Sequence, residues 1–230
     1  MTTPQPQIKP KDAASLVIYQ KSGSEVKVLM GRRPSKSRFM PDVYVFPGGG
    51  VELADSRVRS ATELNTKFAQ EMAVSASQAR AKTIAAAAIR ETFEETGLMI
   101  SSEGYLGNVS DPSWLAFKKL NEAPDLGLLR YLGRAITPAG QPIRFHARFF
   151  AVKFEDLNSQ SSQEINGNGE LLDLQWVPFS TSAEEILSDL ALRKVTRYML
   201  SQLCELVLSK DADWMGKTMF TQRNGQVRIT

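Results

Sequence analysis

Three glutamates on one predicted helix are the residues of this 230-residue sequence best suited to chemistry. Glu91, Glu94 and Glu95 lie in the segment Arg90–Leu98, which follows a run of strong helix formers. At about 100° per residue they fall within an arc of roughly 100°, so their carboxylates share one face of the helix. The opposite face is apolar and consists of Ala85, Ala86, Ile89 and Phe93. The pattern therefore predicts an amphipathic helix with an acidic face.

Two interpretations of this acidic face are open. On a solvated helix surface, Arg90 and Glu94 would form an ordinary ion pair at positions i and i+4. Alternatively, a cation lies among the three carboxylates, which otherwise repel one another, and their hard oxygen atoms suit Mg²⁺ or Mn²⁺ better than zinc. Such a metal polarises phosphorus and lowers the pKa of a bound water, and a carboxylate can orient or deprotonate that nucleophile. The second interpretation predicts phosphate chemistry.

A glycine-rich turn upstream is the second feature suited to chemistry. The strand-like run Val43–Phe46 ends at Pro47, and Gly48, Gly49 and Gly50 follow. Proline ends the strand, and glycine adopts backbone angles that other residues resist. The turn therefore allows backbone conformations at the end of the strand that residues with a side chain disfavour.

Together the helix and the turn resemble the Nudix box, the motif G-x5-E-x7-R-E-U-x-E-E-x-G-U in which U is apolar. Arg90–Leu98 fits its second half, although Thr92 stands where an apolar residue is usual. Phe46–Gly49 resembles the turn that opens the box. The resemblance implies the Nudix fold, a mixed β-sheet sandwiched between helices in the α+β class, and a hydrolase that uses Mg²⁺, with Mn²⁺ as a second candidate ion.

The resemblance also implies roles for individual residues. The metal ligands it implies are Gly49, through its carbonyl, and the carboxylates of Glu91, Glu94 and Glu95. Arg90 would hold one of these carboxylates by a salt bridge. The catalytic set expected from the helix is therefore Arg90, Glu91, Glu94 and Glu95.

The spacing departs from the family motif. Gly49 precedes Arg90 by 41 positions, where the motif has 14, which is an excess of 27 residues. Counted back from Arg90, Lys82 occupies the position of the first Glu of the box, and Glu52 or Asp55 could substitute for it. A subgroup that resembles peroxisomal coenzyme A diphosphatases has an insertion at this place, so we expect a helical insertion at about 52–80.

Residues upstream of the turn bear on the substrate. Arg33, Arg38 and Phe46 are in register with a motif of Nudix enzymes that act on coenzyme A, while Gly31, Pro34 and Asp42 depart from it. Arginines can bind an additional phosphate with two hydrogen bonds, or simply face water at the end of a strand. The resemblance favours hydrolysis of coenzyme A or acyl-coenzyme A. The alternatives are ADP-ribose, a nucleotide sugar, or a non-catalytic nucleotide sensor.

Two further residues are weaker candidates. Glu170 shortly precedes Trp176, and in Nudix enzymes a glutamate before such a strand often assists the base. Glu164 is its rival, and either could be a simple loop charge. His146, the only histidine, would lie on the polar face of a strand, beside Arg148, as a ligand contact or as a structural residue.

The elements that must position these residues follow from periodicity and from turn residues. The predicted strands are Ser15–Tyr19, Val26–Met30, Val43–Phe46, Arg130–Ile136, Arg144–Phe154 and Leu171–Val177. The predicted helices are Asp55–Glu71, Ser75–Thr96, Pro112–Leu120 and Ala183–Leu208, with a break near Leu192. Ser75 or Ser77 would cap the second helix and Gly97 would end it. We expect a flexible tail at 1–12, a single domain at 13–210 and a C-terminal tail at 211–230.

Composition excludes several protein classes. The net charge is +3 and no run of Lys and Arg forms a tract suited to nucleic acid. The resemblance implies a small nucleoside diphosphate derivative as the partner. No apolar run approaches the roughly 20 residues that span a bilayer, and the start lacks a signal-peptide core, so we expect a cytoplasmic protein. A single cysteine rules out an intrachain disulfide. The sequence leaves a homodimer open.

Overall fold

The computed structural model describes residues 8–23, 25–37, 39–157, 165–179, 190–209, 211, 214–223 and 226–230. Its strands are β1 Lys11–Ser22, β2 Glu25–Arg32, β3 Tyr44–Val45, β4 Gly48–Gly50, β5 Ser101–Glu103, β6 Glu122–Pro124, β7 Arg130–Ile136, β8 Phe145–Lys153, β9 Leu172–Phe179, β10 Met219–Arg223 and β11 Gln226–Ile229. Its α-helices are α1 Phe68–Glu71, α2 Gln78–Thr96, α3 Pro112–Lys119 and α4 Lys194–Leu208. Short 3₁₀ turns cover Ala54–Ser56, Leu126–Leu128 and Phe154–Asp156.

A mixed sheet of nine strands forms the centre of the protein. Its main path runs β11-β10-β7-β8-β1-β2-β3, with β4 paired to β1 and β9 paired to β2. The β1–β8 and β7–β10 pairs are parallel, and the other pairs of the sheet are antiparallel. The first two predicted strands form a hairpin, because β1 and β2 pair antiparallel from Tyr19 to Ser22.

Helices pack on both faces of this sheet. Successive residues of a strand point to opposite faces, so Leu16 and Ile18 join the core beneath α2 while Val17 joins the core beneath α4. All three side chains are fully buried, and burial of each contributes roughly 1.5–3 kcal/mol. The predicted α+β class, with a mixed sheet between helices, is confirmed.

The insertion is not the helix predicted at Asp55–Glu71. That segment holds only the 3₁₀ turn Ala54–Ser56 and the four-residue α1, with irregular chain between them. Polar side chains there bond to the local backbone instead of favouring a helix: Ser56 donates to the Leu53 carbonyl at 2.8 Å, and Asn65 accepts from the Lys67 N–H. The segment runs alongside α2 in the opposite direction, joined by three contacts: Asp55 with Arg90, Glu63 with Lys82, and Thr66 with Gln78.

A buried charge network fastens the insertion to the sheet. Arg148 on β8 is 2% exposed, and its guanidinium donates to Asp12 on β1 and to the carbonyl of Met72 at 2.9 Å. Asp12 also binds Arg80 in the first turn of α2. Because these groups are removed from water, each depends on its partners for stability. The insertion is therefore a fixed part of the domain.

The chain termini differ from the expected tails. Lys11 and Asp12 already belong to β1, where the Lys11 N–H donates to the carbonyl of Arg144 at 2.9 Å. Residues 219–223 and 226–229, which were expected to belong to a tail, form β10 and β11, and β10 extends the sheet by pairing with β7. Adjacent polar residues such as Thr221 and Gln222 leave β10 without the alternation of apolar and polar residues that indicates a strand. This is why the two edge strands were not predicted.

Two other expectations about helices can be compared with the structure. The last helix begins at Lys194, and residues 183–189 of its predicted span lie outside the described residues. Within the part of the chain that the structure describes, no helix is both long enough and apolar enough to cross a membrane.

Candidate active site

Helix α2 carries the three glutamates and has well-defined ends. Its N-cap is Ser77, whose side chain accepts from the Arg80 N–H, and it ends at Gly97 with φ 77°. Ala76 and Ser75 have positive φ, which is why the helix begins three residues later than predicted. Thr92, the departure from the family motif, is fully buried and donates its hydroxyl to the Ala88 carbonyl at 2.8 Å. With its polar atom satisfied inside the helix, Thr92 can occupy an apolar position.

The glycine turn lies directly against this helix. Strand β4 pairs with β1, and a Cβ on Gly48 would be 2.4 Å from the Ala14 carbonyl, so only glycine fits there. The Gly48 N–H donates to Glu95 Oε2 at 2.8 Å. A Cβ on Gly49 would be 2.5 Å from the carboxylate of Glu91. The turn thus touches two of the three carboxylates, and this contact requires its glycines.

Arg90 is the centre of the ionic network and is 2% exposed. Its Nε and Nη2 donate to the two oxygens of Asp55 at 2.8 and 3.1 Å, and Nη2 also donates to the Gly50 carbonyl at 2.9 Å. Its Nη1 pairs with Glu91 at 3.0 Å and with Glu94 at 3.1 Å. Arg90 therefore forms the expected salt bridge to the acidic face, with Glu91 and Glu94. It also binds Asp55, so one guanidinium joins three carboxylates.

The network distinguishes between the two candidates for the missing glutamate of the box. Asp55 has a fully buried side chain that binds Arg90, whereas Glu52 is exposed and only its backbone N–H donates to Asp55. Asp55 is also the sixth residue after Gly49, which is the motif spacing counted forward from the turn. Counted forward from Gly49, Asp55 thus occupies the position of the first Glu of the box.

Ser113, in the first turn of α3, was not predicted as a site residue. Its hydroxyl donates to Glu94 Oε1 at 2.6 Å. The two residues are 19 positions apart and lie on different helices, so no local spacing in the sequence could have indicated the contact.

A loop before β9 covers the end of α2 and carries Glu170. The N–H groups of Asn166 and Asn168 donate to the carbonyls of Thr96 and Glu94 at 2.8 and 3.0 Å, which satisfies backbone groups that a helix end leaves free. Glu170 is exposed and lies close enough to Glu95 to raise its pKa. This placement is compatible with the base-assisting role expected of Glu170, while Glu164 lies outside the described residues.

Burial perturbs the carboxyl groups that face the turn. It raises the pKa of Glu91 to about 7, against the opposing effect of Arg90, and it raises the pKa of Glu95 to about 8, against the hydrogen bond from Gly48. Burial acts in this way because it disfavours the charged form. For Arg90, burial lowers the pKa, but the hydrogen bond and charge of Asp55 outweigh it, so the pKa is raised. Two acidic groups thus share a partly desolvated site.

The chemistry of this donor set fits a hard divalent cation. Glu91, Glu94 and Glu95 offer only oxygen ligands, and a cation among them would favour their charged forms over protonation. The geometry is less complete: in the described ranges, no three acidic, histidine or cysteine side chains are gathered closely enough to hold a metal ion. Glu94 instead faces Arg90 and Ser113. Metal binding therefore requires a rearrangement of the acidic face.

The predicted substrate residues have different surroundings. Phe46 is 4% exposed and its ring packs edge-on against Phe149, so it is a core residue and not an accessible contact for a ligand. Arg33 lies over the ring of Phe39 at 5.9 Å and is near enough to Glu95 to lower the pKa of that carboxyl. Arg38 lies outside the described residues.

His146 is half-buried in a cationic environment on β8. Its Nε2 is 3.4 Å from Arg134, and its carbonyl accepts from Arg148. Burial lowers its pKa from 6.5 to about 4, and the two arginines add to this effect while Asp12 opposes it. The contacts described for His146 are with protein groups of the sheet.

This lowered pKa predicts a pH-dependent contribution to stability. Below pH 6.5 the unfolded chain protonates His146 while the folded chain does not, so stability present above pH 6.5 is lost as the pH falls toward 4. We expect the unfolding free energy of the wild type to fall by about 1 kcal/mol more than that of His146→Gln between pH 7 and pH 5. Urea titrations of both proteins measure this difference, and equal pH dependences would contradict it.

Comparisons with known proteins identify the family and agree with the fold. A family model described as NUDIX domain matches residues 9–199. A Caenorhabditis elegans protein that carries a nudix hydrolase name is 27% identical over 157 residues, 64% of this chain, although the chain spans only 45% of that protein's length. The crystal structure of a NUDIX hydrolase from Alicyclobacillus acidocaldarius is similar with a TM-score of 0.62 and 26% identity, covering 90% of this chain and 97% of that one.

Proposed function

The chain belongs to the NUDIX domain family, and from this premise we propose that it is a metal-dependent hydrolase. Its substrate would be a nucleoside diphosphate linked to another group, cleaved at the phosphoanhydride bond. Within that class we propose coenzyme A or acyl-coenzyme A as the substrate. ADP-ribose or a nucleotide sugar is the alternative.

One observation carries the proposal: the glycine turn lies against two buried carboxylates of α2. Gly48 donates to Glu95, and Gly49 approaches Glu91 so closely that a Cβ at Gly49 would displace the Glu91 carboxylate. Buried acids are costly unless a proton or a cation compensates them. The turn requires glycine, and the two acids require a proton or a cation to compensate their burial. This arrangement is suited to binding a metal and a phosphate.

In the proposed mechanism each residue has a separate task. Glu91, Glu94, Glu95 and the Gly49 carbonyl would hold Mg²⁺ or Mn²⁺, which when bound neutralises the anhydride oxygens and lowers the pKa of water. Arg90 restrains Glu91 and Glu94, and Asp55 keeps Arg90 in place. The exposed carboxylate of Glu170 would accept a proton from the attacking water.

The preference for coenzyme A depends on Arg33. Its guanidinium is near Glu95 and can offer two parallel hydrogen bonds to a phosphate, such as the extra 3′-phosphate of coenzyme A. Fold-level similarity does not distinguish substrates of this class, because selectivity depends on loops and insertions.

A substrate panel tests the proposal. Purified protein with Mg²⁺ would be incubated with coenzyme A, ADP-ribose, a dinucleoside polyphosphate, a nucleotide sugar and a nucleoside triphosphate, and product masses would locate the broken bond. We expect coenzyme A to give 3′-phosphoadenosine 5′-phosphate and 4′-phosphopantetheine. Cleavage of ADP-ribose alone would favour the alternative substrate. Tight binding of one compound without any cleavage would indicate a nucleotide sensor.

Paired glycine variants test the contact between the turn and the helix. In Gly49→Ala the new methyl group would displace the flexible Glu91 carboxylate, so we expect turnover to fall about 100-fold with little change in stability. Gly50→Ala is the control, because a Cβ there meets nothing within 4 Å and the carbonyl that binds Arg90 is kept. Steady-state rates and thermal unfolding of both variants measure the effect. Equal rates in the two variants would refute the assigned contact.

A further inference from the structure

The loop that covers the end of α2 contains two Asn-Gly pairs in succession, Asn166–Gly167 and Asn168–Gly169. A glycine after asparagine leaves its backbone nitrogen open to approach, because no side chain shields it. That nitrogen can attack the side-chain amide carbon of the asparagine, which is the first step of spontaneous deamidation. Asn166 and Asn168 are both exposed, so sequence and exposure do not distinguish the two pairs.

Hydrogen bonds to α2 hold the first pair in place. The N–H groups of Asn166 and Asn168 donate to two carbonyls in the last turn of the helix, at 2.8 and 3.0 Å. Between them Gly167 lies so close to the helix that a Cβ there would collide with the carbonyl oxygen of Glu95. Ring closure at Asn166 must rotate the Asn166–Gly167 peptide out of this position. The helix therefore protects the first pair.

The second pair lies beyond the last of these hydrogen bonds. A Cβ at Gly169 would meet no described atom within 4 Å, so the peptide between Asn168 and Gly169 has room to rotate. The Asn168 side chain is already turned toward this backbone, because its Oδ1 accepts from the Glu170 N–H at 2.9 Å. The ring that this hydrogen bond closes contains the Gly169 nitrogen. The attacking nitrogen and the amide carbon are therefore close together.

We propose that Asn168–Gly169 is a site of spontaneous deamidation, and that packing against α2 makes it react before Asn166–Gly167. In the reaction the Gly169 nitrogen bonds to Cγ of Asn168 and gives up its proton, which leaves with the side-chain nitrogen as ammonia. Water then opens the resulting succinimide at either carbonyl. The products are aspartate and isoaspartate, and in isoaspartate the main chain is one methylene longer.

Either product changes the end of the acidic helix. A new carboxylate lies at the C-terminal end of α2, where the helix dipole disfavours negative charge. The added methylene of isoaspartate also shifts Glu170, which is two residues downstream. Because the proposed function assigns proton acceptance to Glu170, we expect conversion to slow turnover, and this consequence rests on that function.

Peptide mapping of aged protein tests the inference. The folded wild type would be kept in mildly alkaline buffer without substrate, and mass spectrometry of the digest would locate each amide that has become an acid. We expect conversion at Asn168 to be about tenfold faster than at Asn166, since reaction at Asn166 requires breaking a hydrogen bond to α2. In a synthetic peptide of residues 165–170 the helix is missing, so the two sites should react at similar rates.

Matched variants complete the test. Asn168→Gln should abolish conversion at this position, because glutamine would have to form a larger ring, and Asn166→Gln should convert at Asn168 at the wild-type rate. Turnover should fall as the wild type converts and stay constant in aged Asn168→Gln. Equal rates at both sites of the folded protein, or faster conversion at Asn166, would refute the inference and leave the proposed function standing. Conversion at Asn168 with unchanged turnover would support the site and refute the role of Glu170.

Discussion

Replacing Glu95 with Gln is expected to abolish turnover while preserving the fold. Gln has the shape of Glu, and its amide oxygen can still accept the Gly48 N–H that Glu95 accepts at 2.8 Å. It cannot supply a negative charge to a cation, so the rate should fall at least about 10³-fold, which corresponds to roughly 4 kcal/mol of transition-state stabilisation. Turnover of the best substrate in the panel measures this loss.

The melting temperature distinguishes a loss of catalysis from a loss of folded structure. Burial disfavours the charged form of Glu95, so Glu95→Gln should melt at or above the wild-type temperature in the absence of metal. Glu103→Gln, which changes an exposed glutamate on β5, should leave both the rate and the melting temperature unchanged. Full activity of Glu95→Gln would remove Glu95 from the site.

Replacing Asp55 with Ala is expected to give the largest loss of stability. Asp55 and Arg90 have side chains that are 0% and 2% exposed and are joined by two hydrogen bonds. Removing Asp55 leaves the Nε and Nη2 groups of the buried guanidinium without the carboxylate that accepts from them, although Glu91 and Glu94 still pair with Nη1, and this costs about 3 kcal/mol. Urea unfolding should show this loss, and turnover should fall as well because Arg90 no longer holds Glu91 and Glu94 in place.

A double-mutant cycle identifies the cause. Arg90→Met in the Asp55→Ala background removes the buried guanidinium whose Nε and Nη2 groups lost their carboxylate acceptor, so the double variant should be no less stable than Asp55→Ala alone. Glu52→Ala changes an exposed carboxylate three residues away and should cost less than about 0.5 kcal/mol. If Asp55→Ala were no more destabilising than Glu52→Ala, the claim that Asp55 stabilises the ionic network around Arg90 would be wrong.

The elements that were predicted correctly are those specified by local patterns. The 3.6-residue spacing of α2, its N-cap Ser77 and its terminal Gly97 depend on neighbouring residues, and each is present in the structure. The insertion was predicted as helical because its composition is polar with intermittent apolar residues. Contacts with α2 decide its conformation instead, and a local pattern contains no information about such contacts.

The same distinction applies to the candidate site. Glu91, Glu94 and Glu95 share a helix, so spacing alone placed them on one face. Asp55 was one of two alternatives, because the choice depends on which carboxylate reaches Arg90 across 35 residues of chain. Ser113 was missed because its contact depends on how α3 packs against α2.

The metal dependence of turnover tests the central claim most directly. Protein stripped with a chelator would be mixed with coenzyme A or ADP-ribose, and product release would be followed as Mg²⁺ is added back. The account predicts no turnover without metal and a saturable recovery with Mg²⁺, with products cut at the phosphoanhydride bond. Turnover that persists at full rate in the chelator, or a cut at any other bond, would contradict it.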